Sequence, residues 1–150
     1  MTRIEKSIVI EAPVEKVFDF VDDVDNFVKT QPPEVEMTVL SRDKGPTRVG
    51  FKAKMRAKFG SKVWEVEEEA TELVKNKRFS GRQKSGALKK LEHTDLFEPT
   101  EKGTKWTAIL EYELSYSLLG KVVDKLKARK DIEKSMDYSM KKTKELIEKG

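Results

Sequence analysis

The feature that most limits the fold is a long succession of strand patterns that ends in a single long helical one. Six runs follow Pro33: VEMTVLSR, VGFKAKMRAKF, KVWEVEEEATELV, KRFSGR, ALKKLEHTDLFEP and TKWTAILEYELSY. They are separated only by DKGP, FGSK, VKNK, QKSG and PTEKG, short turn-rich connections that suit antiparallel hairpins. No segment among them offers the long helix that a parallel crossover needs. A further strand comes first, because Ile4, Ile8 and Ile10 alternate with polar neighbours up to Ala12-Pro13. Val14, Val17, Phe18 and Val21 then keep helical spacing, and Val24 with Phe27 extend to a second short helix or turn that Gln31-Pro32-Pro33 stops. From Leu118 no proline occurs, and Leu119, Val122, Leu126, Met136, Met140, Thr143 and Ile147 fall on or near one side of a helix of about 30 residues, interrupted by Arg129. The pattern predicts an α+β chain: seven antiparallel strands, two short helices after the first, and a long C-terminal helix.

The chain has 150 residues and no internal repeat, low-complexity tract or linker, so one domain over residues 1–150 is expected. Charged residues reach 39% against 37% apolar, but the apolar ones are periodic, as disorder would not require. No apolar run approaches the roughly 20 residues of a membrane span, and MTRIEKSIVIEAP carries charges where a signal peptide is apolar, so a cytoplasmic location is expected. With no cysteine and one histidine, disulfides, thiolate catalysis, zinc ribbons and histidine metal clusters are excluded, and no metal or cofactor is expected. The net charge of +4 is modest for a nucleic-acid binder, and residues 120–150 supply it, so no nucleic-acid partner is expected. Gly81 and Gly86 have P-loop spacing, but Ala87-Leu88 stand where Lys and Ser or Thr are required.

Residues 49–59 pose the functional question. Val49, Phe51, Ala53, Met55, Ala57 and Phe59 make an oily face, and Lys52, Lys54, Arg56 and Lys58 a basic one. A basic working face would mean an anionic partner; an oily one would mean a core or a greasy ligand.

The order of elements resembles the START/Bet v 1-like helix-grip superfamily, especially its polyketide cyclase/dehydrase and coenzyme Q-binding branches. The echoes are IEAPVEKVFDFVDDVDNF, similar to the family's first strand and its A-P-x-E-x-V lead into short helices; RVGFKAKM, similar to its V-G strand; and FEPTEKGTKWTAIL, similar to its F-x-P-x-x-x-G-T hairpin. The resemblance covers the whole chain. It implies a curved sheet gripping the long helix, with a ligand cavity between them and no shared catalytic set. The oily face would then point inward and the basic row outward, where Glu65, Glu67 and Glu69 of the next strand can pair with it.

Several inward positions could carry chemistry. Leu91, His93, Asp95 and Phe97 share a face, so His93 and Asp95 form either a polar pair in the cavity, for proton transfer or as a ligand anchor, or a partly exposed pair at its mouth. Glu68 is in register with Trp64, Val66 and Ala70 unless a bulge turns it outward; buried, it would have a raised pKa. The alternation Trp106, Ala108, Leu110, Tyr112, Leu114, Tyr116 is core or pocket wall, with the Trp106 N–H and the Tyr112 hydroxyl able to orient a ligand. Met55, Met136 and Met140 are adaptable fillers. The ligand-binding set expected is therefore Phe51, Met55, Trp64, Glu68, His93, Asp95, Phe97, Trp106, Tyr112, Met136 and Met140. Sparse, unclustered titratable groups favour a carrier of a small hydrophobic molecule such as a lipid, isoprenoid quinone or polyketide-like compound. The alternatives are a cyclase/dehydratase using His93 or Glu68, and an adaptor whose basic patches contact a partner protein or, transiently, an anionic membrane.

Overall fold

The computed structural model describes residues 1–59, 61–86, 88–114 and 125–150, apart from the Phe59 side chain. Its strands are β1 (Thr2–Ile10), β2 (Thr38–Arg42), β3 (Lys52–Phe59), β4 (Lys62–Val74), β5 (Arg78–Ser85), β6 (Leu88–Thr100) and β7 (Gly103–Leu114). They form one antiparallel sheet in the order β1-β7-β6-β5-β4-β3-β2, curved around helix α3 (Lys125–Lys149) in a helix-grip arrangement. Two short helices, α1 (Val14–Val21) and α2 (Val24–Lys29), join β1 to β2. The expected positions of Tyr116, Leu118, Leu119 and Val122 lie outside the described residues.

Local chemistry explains the boundaries. Pro13, with φ of −62°, leads into α1. The Asp23 carboxylate accepts the N–H groups of Asp25 and Asn26 at 2.8 and 3.3 Å and so caps α2. Gly50 sits at φ +88° in a turn, so β3 begins at Lys52 and Val49, expected on the oily face of the strand, is instead 63% exposed. Beyond that turn the alternation holds: Phe51, Ala53, Met55 and Ala57 are buried while Lys52, Lys54, Arg56 and Lys58 face solvent. Pairing sets Lys52 opposite Glu69, Lys54 opposite Glu67 and Arg56 opposite Glu65, all on the convex side.

The buried stripe of α3 differs from the expected one. It runs through Ala128, Ile132, Met136, Met140, Thr143 and Ile147. Leu126 is 66% exposed, because two residues of helix turn it about 200° from Ala128. Arg129 does not interrupt the stripe; it lies on the flank and pairs with Glu133 at 2.9 Å. The helix is fastened to β1 by polar contacts. Lys6, on the inner face of β1, meets Asp137 at 3.0 Å; Lys144 donates to the Val9 carbonyl at 2.7 Å; and the Glu148 carboxylate accepts the Glu11 N–H at 2.8 Å. Packing forms three clusters. One joins Ile10, Val17, Phe18, Phe97, Trp106, Met140 and Ile147; an opposite one joins Ile4, Tyr112, Leu114 and Ala128 with Leu91 and Met136; the third joins Phe51, Ala53 and Ala70 with Val24 and Phe79.

Candidate functional site

Strand register brings the polar residues of the concave face together. Glu68 lies opposite Ala53 on β3 and Gln83 on β5; His93 lies opposite Gly81 and Leu110; Asp95 lies opposite Phe79 and Ala108. Directly paired residues share a face, so all of these point inward. The β4–β5 ladder shifts register beside Glu67/Glu68 and again between Ala70 and Glu72, but Glu68 stays on the inner face.

Asp95 is the best-held member. It is buried, and its Oδ1 accepts the Trp106 Nε1–H at 2.8 Å, while Oδ2 stands 3.5 Å from His93 Nδ1. The imidazole lies over Gly81, where a Cβ would come within 2.5 Å of Nε2, and the Phe79 ring flanks it with centroids 5.5 Å apart. Glycine at 81 is thus what leaves space for the ring. His93 sits deep among protein groups, yet 30% of its side chain remains open. Burial by itself would lower its pKa; the hydrogen bond and charge of Asp95, with the charge of Glu68, outweigh that and raise it. Glu68 Oε2 is buried with no hydrogen-bond partner among the described residues. Burial raises the pKa of that carboxyl, against the smaller opposing effect of His93.

The other expected residues divide by role. Phe97, Trp106 and Met140 belong to the packed end near α1, and the Trp106 N–H expected to orient a ligand is already given to Asp95. Tyr112 belongs to the opposite end; burial raises its pKa, and its hydroxyl is hydrogen-bonded with Thr2. Met136 is half-buried there. Phe51 packs with Ala53, Ala70, Val24 of α2 and Phe79, with Arg42 and Arg48 against its ring. Met55 is fully inward. Trp64 is half-buried beneath the Lys62 ammonium, and its Nε1 has no hydrogen-bond partner among the described residues. Along the inner face Trp64, Val66, Glu68 and His93 are only partly covered, as are Phe79 and Leu110, which pack at the edges of the clusters. Sequence reading missed Phe79, Gly81 and Gln83, although period-two counting along KRFSGRQ would have put all three on one face.

Chemically, the array can anchor an oxygen function and share a proton between His93 and Asp95, with the Glu68 carboxyl close enough to act on the imidazole through its charge. Among the described residues no three His, Asp or Glu side chains converge to hold a metal ion, and no helix is long and apolar enough to cross a membrane.

The family described as polyketide cyclase/dehydrase and lipid transport matches residues 1–148. No curated protein matches the chain at a significant level. Solved structures share its fold at low identity. The protein TTHA0849 from Thermus thermophilus is 21% identical with a TM-score of 0.75, the match covering 97% of both chains. A START superfamily protein from Mycobacterium smegmatis is 14% identical with a TM-score of 0.73 over 98% of this chain and 97% of that one. The di-domain ARO/CYC protein StfQ of the steffimycin biosynthetic pathway is 11% identical with a TM-score of 0.75, over 98% of this chain and 50% of that one.

Proposed function

Because the chain belongs to the polyketide cyclase/dehydrase and lipid-transport family, we propose that it binds a small hydrophobic molecule between the concave face of the sheet and α3. The observation that carries this reading is the partial exposure of Trp64, Val66, Glu68 and His93 on the concave face beside the packed clusters. A chain that only needed a core would gain by covering those side chains, since each buried methylene contributes about 0.8 kcal/mol. Affinity comes mainly from apolar burial against Val66, Phe79 and Leu110, with few polar groups to orient the ligand. Native mass spectrometry with lipid extraction, on protein purified without detergent, tests it. A co-purifying hydrophobic ligand or uptake of a fluorescent hydrophobic probe is expected; neither, at saturating probe, would remove the reading.

The His93–Asp95 contact favours a second reading, in which the same site moves a proton on a bound ketide. Conversion of a model linear polyketide by the parent protein, lost about 100-fold in His93→Gln with binding retained, would establish it.

A further inference from the structure

Two polar atoms on the inner face of β4 are buried without partners among the described residues, Glu68 Oε2 and Trp64 Nε1. Leaving such an atom unanswered costs about 1 to 3 kcal/mol. Both belong to residues of the concave face that are only partly covered. Their neighbours do not supply the missing bonds. Gln83, directly across from Glu68, gives its Nε2 to the Leu88 carbonyl, and Asp95 is occupied by Trp106 and His93.

The charge inventory restricts what can answer Glu68. Its polar neighbours across the sheet are Gln83 on β5 and His93 on β6, and His93 is already in contact with Asp95, so the one imidazole at hand is shared with another carboxyl. A ligand carboxylate or phosphate placed here would be desolvated among apolar groups with the imidazole already engaged by Asp95, which is unfavourable. A cationic head would compete with the imidazole that already lies beside both acids. A bare hydrocarbon would leave Oε2 unanswered. A hydroxyl can donate to the carboxyl oxygen, or accept from it where the carboxyl is protonated, as burial favours.

Resting on the ligand-binding reading above, we propose that Glu68, with His93 beside it, is a subsite for the neutral hydroxyl head of the hydrophobic ligand. The ligand class is thus an alcohol or phenol with an apolar body, as opposed to a fatty acid, a phospholipid headgroup or a plain hydrocarbon. Trp64 Nε1, about 13 Å farther along the same strand face, offers a donor to any acceptor oxygen that the body carries.

The test is a displacement titration of a bound naphthylamine dye by dodecanol, dodecanoate, dodecylammonium and dodecane at pH 7.5, for the parent, Glu68→Leu and Glu68→Gln. Dodecanol should bind the parent at least about fivefold more tightly than dodecanoate or dodecane, the factor of one net hydrogen bond. Glu68→Leu should erase that preference and leave dodecane unchanged, while Glu68→Gln, which keeps an acceptor and a donor, should retain it. Equal affinity for all four compounds, tighter binding of dodecanoate or dodecylammonium than of dodecanol, or an equal loss for all in Glu68→Leu would overturn the proposal while leaving a hydrophobic site. Failure of the dye and all four compounds to bind the parent would instead strike the ligand-binding reading itself, and this inference with it. Should Glu68→Leu not fold, the preference within the parent and its retention in Glu68→Gln decide the matter.

Discussion

Gly81→Ala is the sharpest probe of the site, because it moves the imidazole without removing any polar group. The new Cβ would meet His93 Nε2 at 2.5 Å, Cε1 at 3.1 Å and the Glu69 carbonyl oxygen at 3.2 Å. The first contact is too short to exist, so the ring must swing away; the last needs a shift of only a few tenths of an ångström. Swinging the ring off Gly81 lengthens the 3.5 Å approach to Asp95 and removes the interaction that holds the imidazole pKa up. Overpacking of this kind costs about 1 to 3 kcal/mol, and replacing glycine returns about 0.4 to 1 kcal/mol through the unfolded chain. A net loss of about 1 to 2 kcal/mol is expected, or about 2 to 8 °C in Tm at roughly 2 to 4 °C per kcal/mol. The sequence contains one histidine, so a single imidazole resonance reports its titration without assignment. That pKa should fall in Gly81→Ala. In a His93→Ala background the same substitution should be neutral or stabilising, and the difference between the two backgrounds isolates the ring contact. An unchanged histidine titration and the same Tm change in both backgrounds would refute the placement of His93 over Gly81.

Trp106→Phe should cost about 2 to 3 kcal/mol, because it removes a charge-assisted hydrogen bond to buried Asp95 and part of a packed indole; chemical denaturation measures it, and a loss under about 0.5 kcal/mol would contradict the 2.8 Å contact. Met55→Ala should cost about 2 to 5 kcal/mol and Lys54→Ala under about 0.5, and similar losses for both would mean that β3 faces the other way. Asp22 closes α1 with its pKa raised to about 6, by burial first and by the Asp19 and Asp23 charges against the opposing Lys75. Its protonated form is the one the fold prefers, so this contribution is full below about pH 4 and lost as pH rises through 6. Two units correspond to about 3 kcal/mol, discounted to about 1 to 1.5 because the side chain is partly solvated, so Asp22→Asn should raise stability by that much at pH 7.5 and by nothing near pH 4. Urea midpoints at the two pH values check it, and an equal gain at both would show that charge is not the cause.

The fold was legible because each of its parts is written in local periodicity. Alternation in KVWEVEEEATELV predicts β4, and the spacing of Val14, Val17, Phe18 and Val21 predicts α1, with both spans as found. Errors came where a single residue changes the frame. Gly50 ends the alternation that Val49 continues on paper, and Ala128, too small to mark a hydrophobic stripe, carries the buried face that Leu126 was expected to carry. Lys6 shows the converse. Its position between Ile4 and Ile8 on one face was visible, but an inward lysine needs acids to meet it, and Glu133 and Asp137 come from the far end of the sequence.

The site itself was legible only as far as strand register could be counted. The β6–β7 hairpin turns at Glu101 and Lys102, which places Phe97 opposite Trp106 and therefore Asp95 one diagonal step from the indole. Counting back from PTEKG would have found that hydrogen bond, and with it the reason the Trp106 N–H is not free for a ligand. The relation of Glu68 to His93 could not be counted in this way, since it crosses β5 and depends on the register shift between Ala70 and Glu72 in the β4–β5 ladder, which no residue type announces. Strict alternation counted back from Leu73, which packs inward, would put Thr71, Glu69 and Glu67 inside and Glu68 outside. The extra residue Thr71, skipped between the Ala70–Gly81 and Glu72–Ser80 pairs, resets that count, so Leu73 and Glu68 can both face inward. Pairing with β3, where Glu68 stands opposite buried Ala53, holds the lower half of β4 in place independently of the bulge. Deleting Thr71 should therefore straighten the ladder while leaving Glu68 inside, and the preference for dodecanol over dodecanoate in the displacement titration should stay within about twofold of the parent's. Deleting Glu67 instead breaks the alternation between Val66 and Glu68 on a strand with no spare residue there, so either the β3 ladder slips or Glu68 turns outward, and the preference should be lost. Loss in the Thr71 deletion together with retention in the Glu67 deletion would show that the register of Glu68 is set by β5 and not by β3.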